Sequence, residues 1–335
     1  MANSVGYFLF SLDTELAWGA FDHFHPGMFS ADGRRERYAI KRILDILDKY
    51  DIAATWALVG HLFFEKCEKC PQCPILEWKG KFSSFEEIYE TSSPLWYGAD
   101  IIRILMERSS RHEIAFHGFT HRIFDEKTMD SLDARTEILE WLKVASGKVS
   151  AGLQTVVFPR NKVGHLGVFK EYGFTCYRDD EVLPSSYYTI PFFGKALNKI
   201  DLVLQIRKPE IYDPTKDGND LVRLPASRSL FRMPRKIDKM PGGSILGQIH
   251  HQKIIQGVAR AAASGKVIHI YTHPWEFREE KDFARLEDLL SAVSQQIKNR
   301  RMISISMGSL AQLFNQVDKM HSSENQTEKK PSIHE

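Results

Sequence analysis

Two histidines four residues apart are the clearest candidates for chemistry in this sequence. His117 and His121 stand in the run HEIAFHGFTH, which begins at His112. Neutral imidazole is the commonest metal ligand among protein side chains near pH 7, so the pair can face one ion if the chain turns after the first histidine. The apolar residues 114 to 116 predict a buried strand, and strand ends are where α/β folds build their sites. Two polar loop histidines would give the same pattern, so the interpretation needs a further ligand.

Two acidic residues near the start of the sequence supply that further ligand. Asp13 and Glu15 end an apolar run that begins at Gly6, and positions i and i+2 of an extended chain share a face. One carboxylate with two imidazoles leaves a divalent ion open positions for water and substrate, as catalytic sites do. A second carboxylate that does not coordinate can take a proton from water. The alternative is that Asp13 caps the following turn and Glu15 is solvated.

The composition is that of a globular protein. The chain has 335 residues, of which 43% are hydrophobic and 26% charged, and its formal net charge is +2. Charge so close to balance gives no reason to expect a nucleic-acid partner or a membrane surface. No apolar run approaches the roughly 20 residues that span a bilayer, and no secretory leader is recognisable before the first predicted strand. We therefore expect a cytoplasmic protein without a membrane span.

The four cysteines do not form the pattern of a disulfide framework. Cys67, Cys70 and Cys73 are crowded into the run CEKCPQC, and Cys176 lies alone on a predicted strand. Three thiolates at this spacing can hold zinc or an iron–sulfur cluster if a fourth ligand comes from elsewhere. No second pair at this spacing is present, so reduced loop thiols are the favoured interpretation.

Strand-like and helix-like segments alternate along most of the chain. Apolar residues at 40, 43, 44 and 47 have the spacing of an amphipathic helix, and residues 53 to 59 predict the next strand. Repeated alternation is typical of a mainly parallel sheet with helices outside it, either open or closed into a barrel. Residues 191–243 interrupt the alternation and are predicted to be an elaborated insertion. Residues 1–318 would then form one domain, and the polar residues 319–335 a disordered tail.

Three of these features together resemble a known family. The acidic strand end, the helix and strand from Lys41 to Gly60, and the histidine run occur in the order seen in the NodB-type polysaccharide deacetylases, carbohydrate esterase family four. The resemblance covers residues 6 to 310. It implies an α/β fold, a distorted (β/α) barrel of about seven strands, and the removal of acetyl groups from N-acetylated sugars with a divalent metal ion.

The resemblance also assigns roles to the acids and histidines. The family's first motif is usually TFDDG, with the first Asp as base and the second as metal ligand. This chain has SLDTE at residues 11–15, so Asp13 corresponds to the base and Thr14 occupies the place of the metal-binding Asp. Some members of the superfamily carry a later acid on the metal, and by that similarity Glu15 is the ligand. The second motif corresponds to His117 and His121, which are metal ligands in the family.

The later motifs imply three further regions of the site. The third motif supplies an arginine that pairs with the base, and Arg160 in the run FPRN follows the appropriate strand, although the order of Pro and Arg is exchanged. An arginine there would keep Asp13 ionised and oriented; the alternative is a surface ion pair. The candidate for the fourth motif, which walls the acetyl group, is the segment of residues 224 to 231. The fifth supplies a general acid, which corresponds to His273 at the end of a predicted strand.

The expected substrate is an N-acetylated sugar or glycan precursor, and the expected ion is zinc, although iron or cobalt would accept the same ligands. Trp18 and Trp275 are candidates for stacking on a sugar face, or for simple packing. An intracellular precursor in surface polysaccharide biosynthesis fits a chain without a recognisable secretion signal. The basic residues of the insertion would meet a diphosphate or form a solvated face; they are Arg207, Lys208, Arg223, Arg228, Arg232, Arg235 and Lys236. The alternatives are hydrolysis of another C–N bond, as in allantoinase-like relatives, and a sugar-binding protein without catalytic activity.

Overall fold

The structure, a computed structural model, describes residues 5–22, 27–66, 93–108, 111–149, 152–181, 207–231 and 243–327. Cys67, Cys70 and Cys73 and about half of the predicted insertion lie outside this part of the chain, so the predictions made for them stay predictions. Cys176 is buried and is not in a disulfide.

The described residues form an alternating α/β fold. The strands are β1 (Gly6–Thr14), β2 (Thr55–Leu58), β3 (Glu113–Phe116), β4 (Thr155–Val157), β5 (Cys176–Asp179), β6 (Thr215–Lys216), β7 (Val222–Pro225), β8 (Arg228–Ser229), β9 (Val267–Thr272) and β10 (Met302–Ser304). The helices are α1 (Arg34–Tyr50), α2 (Ala99–Glu107), α3 (Ser131–Ser146), α4 (Leu166–Glu171), α5 (Gly243–Ser264), α6 (Glu280–Lys298) and α7 (Met307–Thr327).

The strands form one curled, mainly parallel sheet. Its order in the described residues is β6-β7-β5-β4-β3-β2-β1-β9-β8, with β10 beside the start of β1, and the pair β6–β7 is the antiparallel one. Near one end of this order β7 pairs with β5, and at the other end β8 pairs with β9. Since β7 ends at Pro225 and β8 begins at Arg228, a short segment of the chain connects the two ends. Between them, Ala226 N–H donates to Asp179 O and Ser227 N–H donates to His269 O. The sheet is thereby a distorted barrel, as the resemblance implied.

Alternation along β1 separates a packed outer face from the barrel interior. Phe8, Phe10 and Leu12 belong to the large core between sheet and helices. Leu9 belongs to a smaller cluster inside the barrel, which includes Met307 at the start of α7. The inward positions after Leu9 are Ser11 and Asp13, since the side-chain period of a strand is two. The interior is therefore apolar at one end, where α7 covers it, and polar at the end where the site residues lie.

The structure changes two boundaries predicted from sequence. Residues 207–231, which fell within the predicted insertion, supply β6, β7 and β8 of the main sheet. Of the prolines in this segment that the structure describes, Pro209 and Pro214 stand in connections and Pro225 ends β7. Residues 319–327, predicted to be disordered, continue helix α7. Within the described residues, no helix is both long and apolar enough to cross a membrane.

Candidate metal centre and active site

Asp13 and Glu15 lie at the carboxyl end of β1, where the strand gives way to a short 3-10 turn at residues 16–19. Both side chains are almost fully buried, with 4% and 5% of their residue surface exposed. Burial alone would raise the pKa of each carboxyl group, but neighbouring charges outweigh it. Arg178 and His117 hold the pKa of Asp13 below its ordinary value. His273 and His121 hold that of Glu15 well below its own, so both carboxylates are ionised at neutral pH.

The two histidines converge on Glu15. His117 follows β3 directly, and the chain then turns through left-handed backbone at Gly118 (φ 78°) and His121 (φ 59°). His117 Nε2 lies 3.2 Å and His121 Nε2 2.9 Å from the same oxygen, Glu15 Oε2. His117 Nδ1 donates to Val157 O at 2.8 Å. That hydrogen bond leaves Nε2 as the nitrogen with a lone pair facing Glu15, as in metal-ligating histidines whose other nitrogen is tied to a carbonyl.

This cluster fits a divalent metal ion. One ligand atom from each of Glu15, His117 and His121 lies within 4.8 Å of the others, and all three residues are buried. Both ring nitrogens of His121 are buried without hydrogen-bond geometry to any described partner. A buried polar atom left in that state is costly in a protein that binds nothing there. Burial lowers the pKa of His121 despite the nearby Glu15, which favours the neutral imidazole that a metal needs.

Arg178 on β5 is the arginine that pairs with Asp13. Its two terminal nitrogens donate to Asp13 Oδ1 and Oδ2, each at 2.6 Å, and its side chain is fully buried. One nitrogen also donates to Ser11 Oγ at 3.1 Å, and the other to Asn161 Oδ1 at 2.8 Å. The guanidinium lies over the ring of Tyr271, 4.6 Å from its centroid. Asp13 is therefore held in one orientation by a planar, two-point contact that a lysine could not provide.

Arg160, predicted to pair with Asp13, does not contact it. Its guanidinium pairs with Asp22 and lies over Phe21 at the rim of the site. The reason is local backbone geometry, since both Arg160 (φ 54°) and Asn161 (φ 52°) are left-handed in the short turn after β4. The turn directs the arginine outward and places the amide oxygen of Asn161 on Arg178.

His273, at the end of β9, faces the two acids from the other side. Its Nε2 lies 3.7 Å from both Asp13 Oδ2 and Glu15 Oε1. Its Nδ1 lies 3.2 Å from Glu276 Oε2, the same oxygen that accepts from His273 N–H and from Thr272 Oγ1. Burial lowers the pKa of His273, but Glu15, Glu276 and Asp13 outweigh it and raise the pKa to about 9. The ring is therefore protonated at neutral pH, with Nε2–H directed toward the two acids.

The two candidate tryptophans have different surroundings. Trp18 is fully buried, donates from Nε1 to Trp96 O at 2.8 Å and packs against His61. The full burial of Trp18 favours packing, the alternative that the sequence left open. Trp275 is half-buried beside His273, with ring centroids 5.2 Å apart, and its Nε1 donates to Glu15 Oε1 at 3.4 Å. It contacts the carboxylate of the candidate metal triad, and stacking on a sugar remains a prediction.

Sequence reasoning missed Arg178, Asn161 and Glu276. Arg178 carried a usable signal, because an arginine beside the apolar residues of a predicted buried strand needs an internal partner. Glu276 stands only three residues after His273. Three of the basic residues that were candidates for binding a diphosphate are paired with acids at or just after the end of β5. Arg223 pairs with Asp179, while Arg207 and Arg228 flank Glu181.

Comparisons with known proteins agree with this fold. No protein-family profile matches the sequence, and no curated relative matches it. Among solved structures, a protein assigned as a polysaccharide deacetylase from Mycobacterium smegmatis matches with a TM-score of 0.60 at 13% identity, covering 95% of this chain and 93% of that one. A GH57-type branching enzyme from Pyrococcus horikoshii matches with a TM-score of 0.54 at 11% identity, over 92% of this chain and 70% of that one.

A third solved structure, Puue allantoinase, matches with a TM-score of 0.53 at 13% identity, over 91% of this chain and 89% of that one. At such identities the likeness concerns the fold alone, because one fold supports many chemistries. It extends over nearly the whole chain and agrees with the curled parallel sheet described above. The chain therefore shares its fold with these three solved structures, the polysaccharide deacetylase among them.

Proposed function

We propose that this protein is a metal-dependent hydrolase that removes the acetyl group from an N-acetylated sugar. The observation that carries the proposal is the arrangement around Glu15. A metal-ligand triad of Glu15, His117 and His121 lies between an ionised acid and a protonated histidine, Asp13 and His273. Amide hydrolysis needs these elements together: an electrophilic metal site, a base for the water and an acid for the departing amine.

In this proposal Asp13 and His273 carry out the two proton transfers of the hydrolysis. A divalent ion, zinc by preference, would be held by the triad and would supply Lewis acidity toward the acyl oxygen and the attacking water. Asp13, kept ionised and oriented by Arg178, accepts the proton of the water. His273 donates its Nε2 proton to the nitrogen of the breaking C–N bond, while Glu276 holds Nδ1–H and stabilises the cationic ring. Water and the amide are consumed, and acetate and a free amine are released.

The test combines metal analysis with acetate release. Purified protein should contain about one divalent ion per chain, because the described ligands form one site. It should release acetate from at least one member of a panel of N-acetyl sugars that includes monomers, nucleotide-linked sugars and polymers. His117→Ala and His121→Ala should lose the ion and the activity together. A protein that binds no metal, or that hydrolyses allantoin and no N-acetyl sugar, would contradict the proposal.

The identity of the sugar, a role in surface polysaccharide biosynthesis and a cytoplasmic location remain predictions. The substrate panel addresses the first of these directly. Preference for a nucleotide-linked or lipid-linked sugar would favour a biosynthetic precursor, whereas preference for polymer would count against it.

A further inference from the structure

The loop between the two histidines is anchored by a glutamate from outside the site. Glu137, on helix α3, accepts three hydrogen bonds from the loop: from Phe119 N–H at 2.8 Å and Thr120 N–H at 3.0 Å through Oε2, and from Thr120 Oγ1 at 2.5 Å through Oε1. Glu137 is almost fully buried and contacts neither Asp13 nor Glu15 among its described hydrogen bonds. Both oxygens of its carboxylate accept hydrogen bonds from this loop.

The carbonyl groups of the same loop are held from the opposite side. Gly60 N–H donates to Gly118 O at 2.9 Å, and His61 donates to Phe119 O from its backbone N–H at 3.2 Å and from Nδ1 at 2.8 Å. A Cβ on Gly60 would lie 2.9 Å from the Cα of Phe119, so the close approach needs glycine there. The loop is thus clamped between the end of β2 and helix α3.

This clamp has to offset an unfavourable backbone. His121 is a non-glycine residue with φ 59°, a left-handed conformation that is unfavourable for L-amino acids. Thr120 is fully buried, so without Glu137 its N–H would lose its acceptor and could not hydrogen-bond to bulk water instead. A loop released from Glu137 would relax toward ordinary backbone angles, and His121 Nε2 would leave its position beside Glu15 Oε2. The histidine pair is therefore preorganised by a residue that does not touch it.

We propose that Glu137 is a positioning residue that sets the metal affinity of the His117–His121 pair by fixing the loop between them. The inference rests on the proposed metal-dependent function. The inference concerns affinity for the ion and not turnover. Measurements of metal binding therefore test it even if the chain proves to act on another C–N bond.

The experiment compares Glu137→Ala with Glu137→Gln. A glutamine can still accept both N–H groups through Oε1 and can donate to Thr120 Oγ1 through Nε2, so it keeps the clamp without the charge. Zinc affinity is measured by competition with a chromophoric chelator, and the coordination geometry by the visible absorption of the cobalt-substituted protein. Glu137→Ala should lose about 10- to 100-fold in affinity, the usual effect of removing an outer partner of a metal ligand. Glu137→Gln should stay close to the wild type and keep its cobalt spectrum.

Glu113 provides the matched control. It is a partly buried glutamate whose oxygens likewise accept from a backbone N–H, that of Gly308, and from threonine hydroxyls, those of Thr55 and Thr155, but it stands at the opposite end of β3. Glu113→Ala should lower the thermal midpoint and leave zinc affinity unchanged. Equal loss of affinity in Glu113→Ala and Glu137→Ala would overturn the proposal, because the effect would then be general destabilisation. Wild-type affinity in Glu137→Ala would overturn it as well.

A milder variant keeps the test decisive if Glu137→Ala does not fold. Thr120→Val removes one of the three hydrogen bonds and keeps the shape of the side chain. It should weaken zinc binding by a smaller factor, between those of the wild type and of a full loss of the clamp. Unchanged affinity in Thr120→Val together with unchanged affinity in a folded Glu137→Leu would refute the role. If the wild type binds zinc but releases no acetate, the proposed function is refuted. A loss of zinc affinity in Glu137→Ala would still support this inference in that case.

Discussion

Glu113 and Asp13 stand at opposite ends of the barrel, and their surroundings shift their pKa values in opposite directions. At the amino end of β3, Glu113 is surrounded by neutral donors, and desolvation raises its pKa despite hydrogen bonds from Gly308, Thr155 and Thr55. At the carboxyl end of β1, Asp13 meets a guanidinium and an imidazole, and its pKa is lowered although the residue is almost fully buried. The hydrogen bonds of Glu113 connect strands β2 and β4 to helix α7, a structural role that does not need an ionised carboxylate. The charged partners of Asp13 keep its carboxylate ionised, which a residue that accepts a proton requires.

The largest expected effect separates these two carboxyl groups directly. Asp13→Asn should lower kcat by about 10²- to 10⁴-fold, because the base for the water is lost. Zinc content should not change, since Asp13 is not one of the three ligand residues. Glu113→Gln, with the same chemical change at the other end, should keep kcat within a small factor. If Asp13→Asn loses the ion while Glu15→Gln keeps it, the roles of the two acids are reversed.

A second prediction concerns the pH dependence that the charged end creates. The three carboxylates around His273 raise its pKa to about 9 against the effect of burial, above its ordinary value near 6.5. The acid form is therefore favoured at neutral pH and is lost as the pH rises through this raised pKa. A bound divalent cation would offset part of the charge of Glu15, so turnover of the metal-loaded enzyme should fall between the ordinary value of about 6.5 and about 9. His273→Gln should retain zinc, lose about 10²- to 10⁴-fold in kcat and show no alkaline decline. A variant with full turnover would remove His273 from the mechanism.

A third prediction contrasts the buried arginine with the one expected from sequence. Arg178→Met leaves the buried Asp13 without its counter-charge, which typically costs about 3–5 kcal/mol of unfolding free energy. Arg160→Met breaks a rim ion pair and should cost about 1 kcal/mol or less. Denaturant unfolding of both variants measures the difference. Asp13→Asn added to Arg178→Met should restore part of the stability, since the uncompensated charge is then gone; additive losses would argue against the pairing.

The smallest expected effect tests the packing behind the metal ligand. A Cβ on Gly19 would lie 2.0 Å from Glu15 Cδ and from its Oε1, so Gly19→Ala must displace the carboxylate. We expect zinc affinity to fall by about tenfold, at the low end for an outer partner of a metal site. Gly147→Ala is the control, because nothing lies within 4 Å of its Cβ position, and its affinity should be unchanged. Equal affinities in the two variants would mean that Glu15 is not held by this contact.

The parts of the site that could be predicted from sequence are those set by local chain geometry. Asp13 and Glu15 share a strand end, and His117 and His121 share one loop, so spacing alone brings each pair together. The alternation of helices and strands likewise predicted the parallel fold. The pairing of Arg178 with Asp13 depends instead on curling the sheet until β5 faces β1, which no local pattern records. Arg178 pairs with Asp13 in place of Arg160 because the two residues after β4, Arg160 and Asn161, have left-handed backbone. Neither residue is a glycine, so the sequence did not indicate a left-handed turn there.

The pairing of β1 with β9 has a consequence for the synthesis of the chain. Leu9 pairs in register with His269, and Gly6 with Met302, so the partners of β1 on this side are synthesised about 260 to 300 residues later. At ribosomal rates of about 5–20 residues per second, that interval is roughly 10–60 s. During it, the apolar strand that carries Asp13 has an unpaired edge open to other chains. We expect expression of soluble protein to depend on chaperones that hold nascent chains, and refolding from denaturant to be slow, as for other folds dominated by distant contacts.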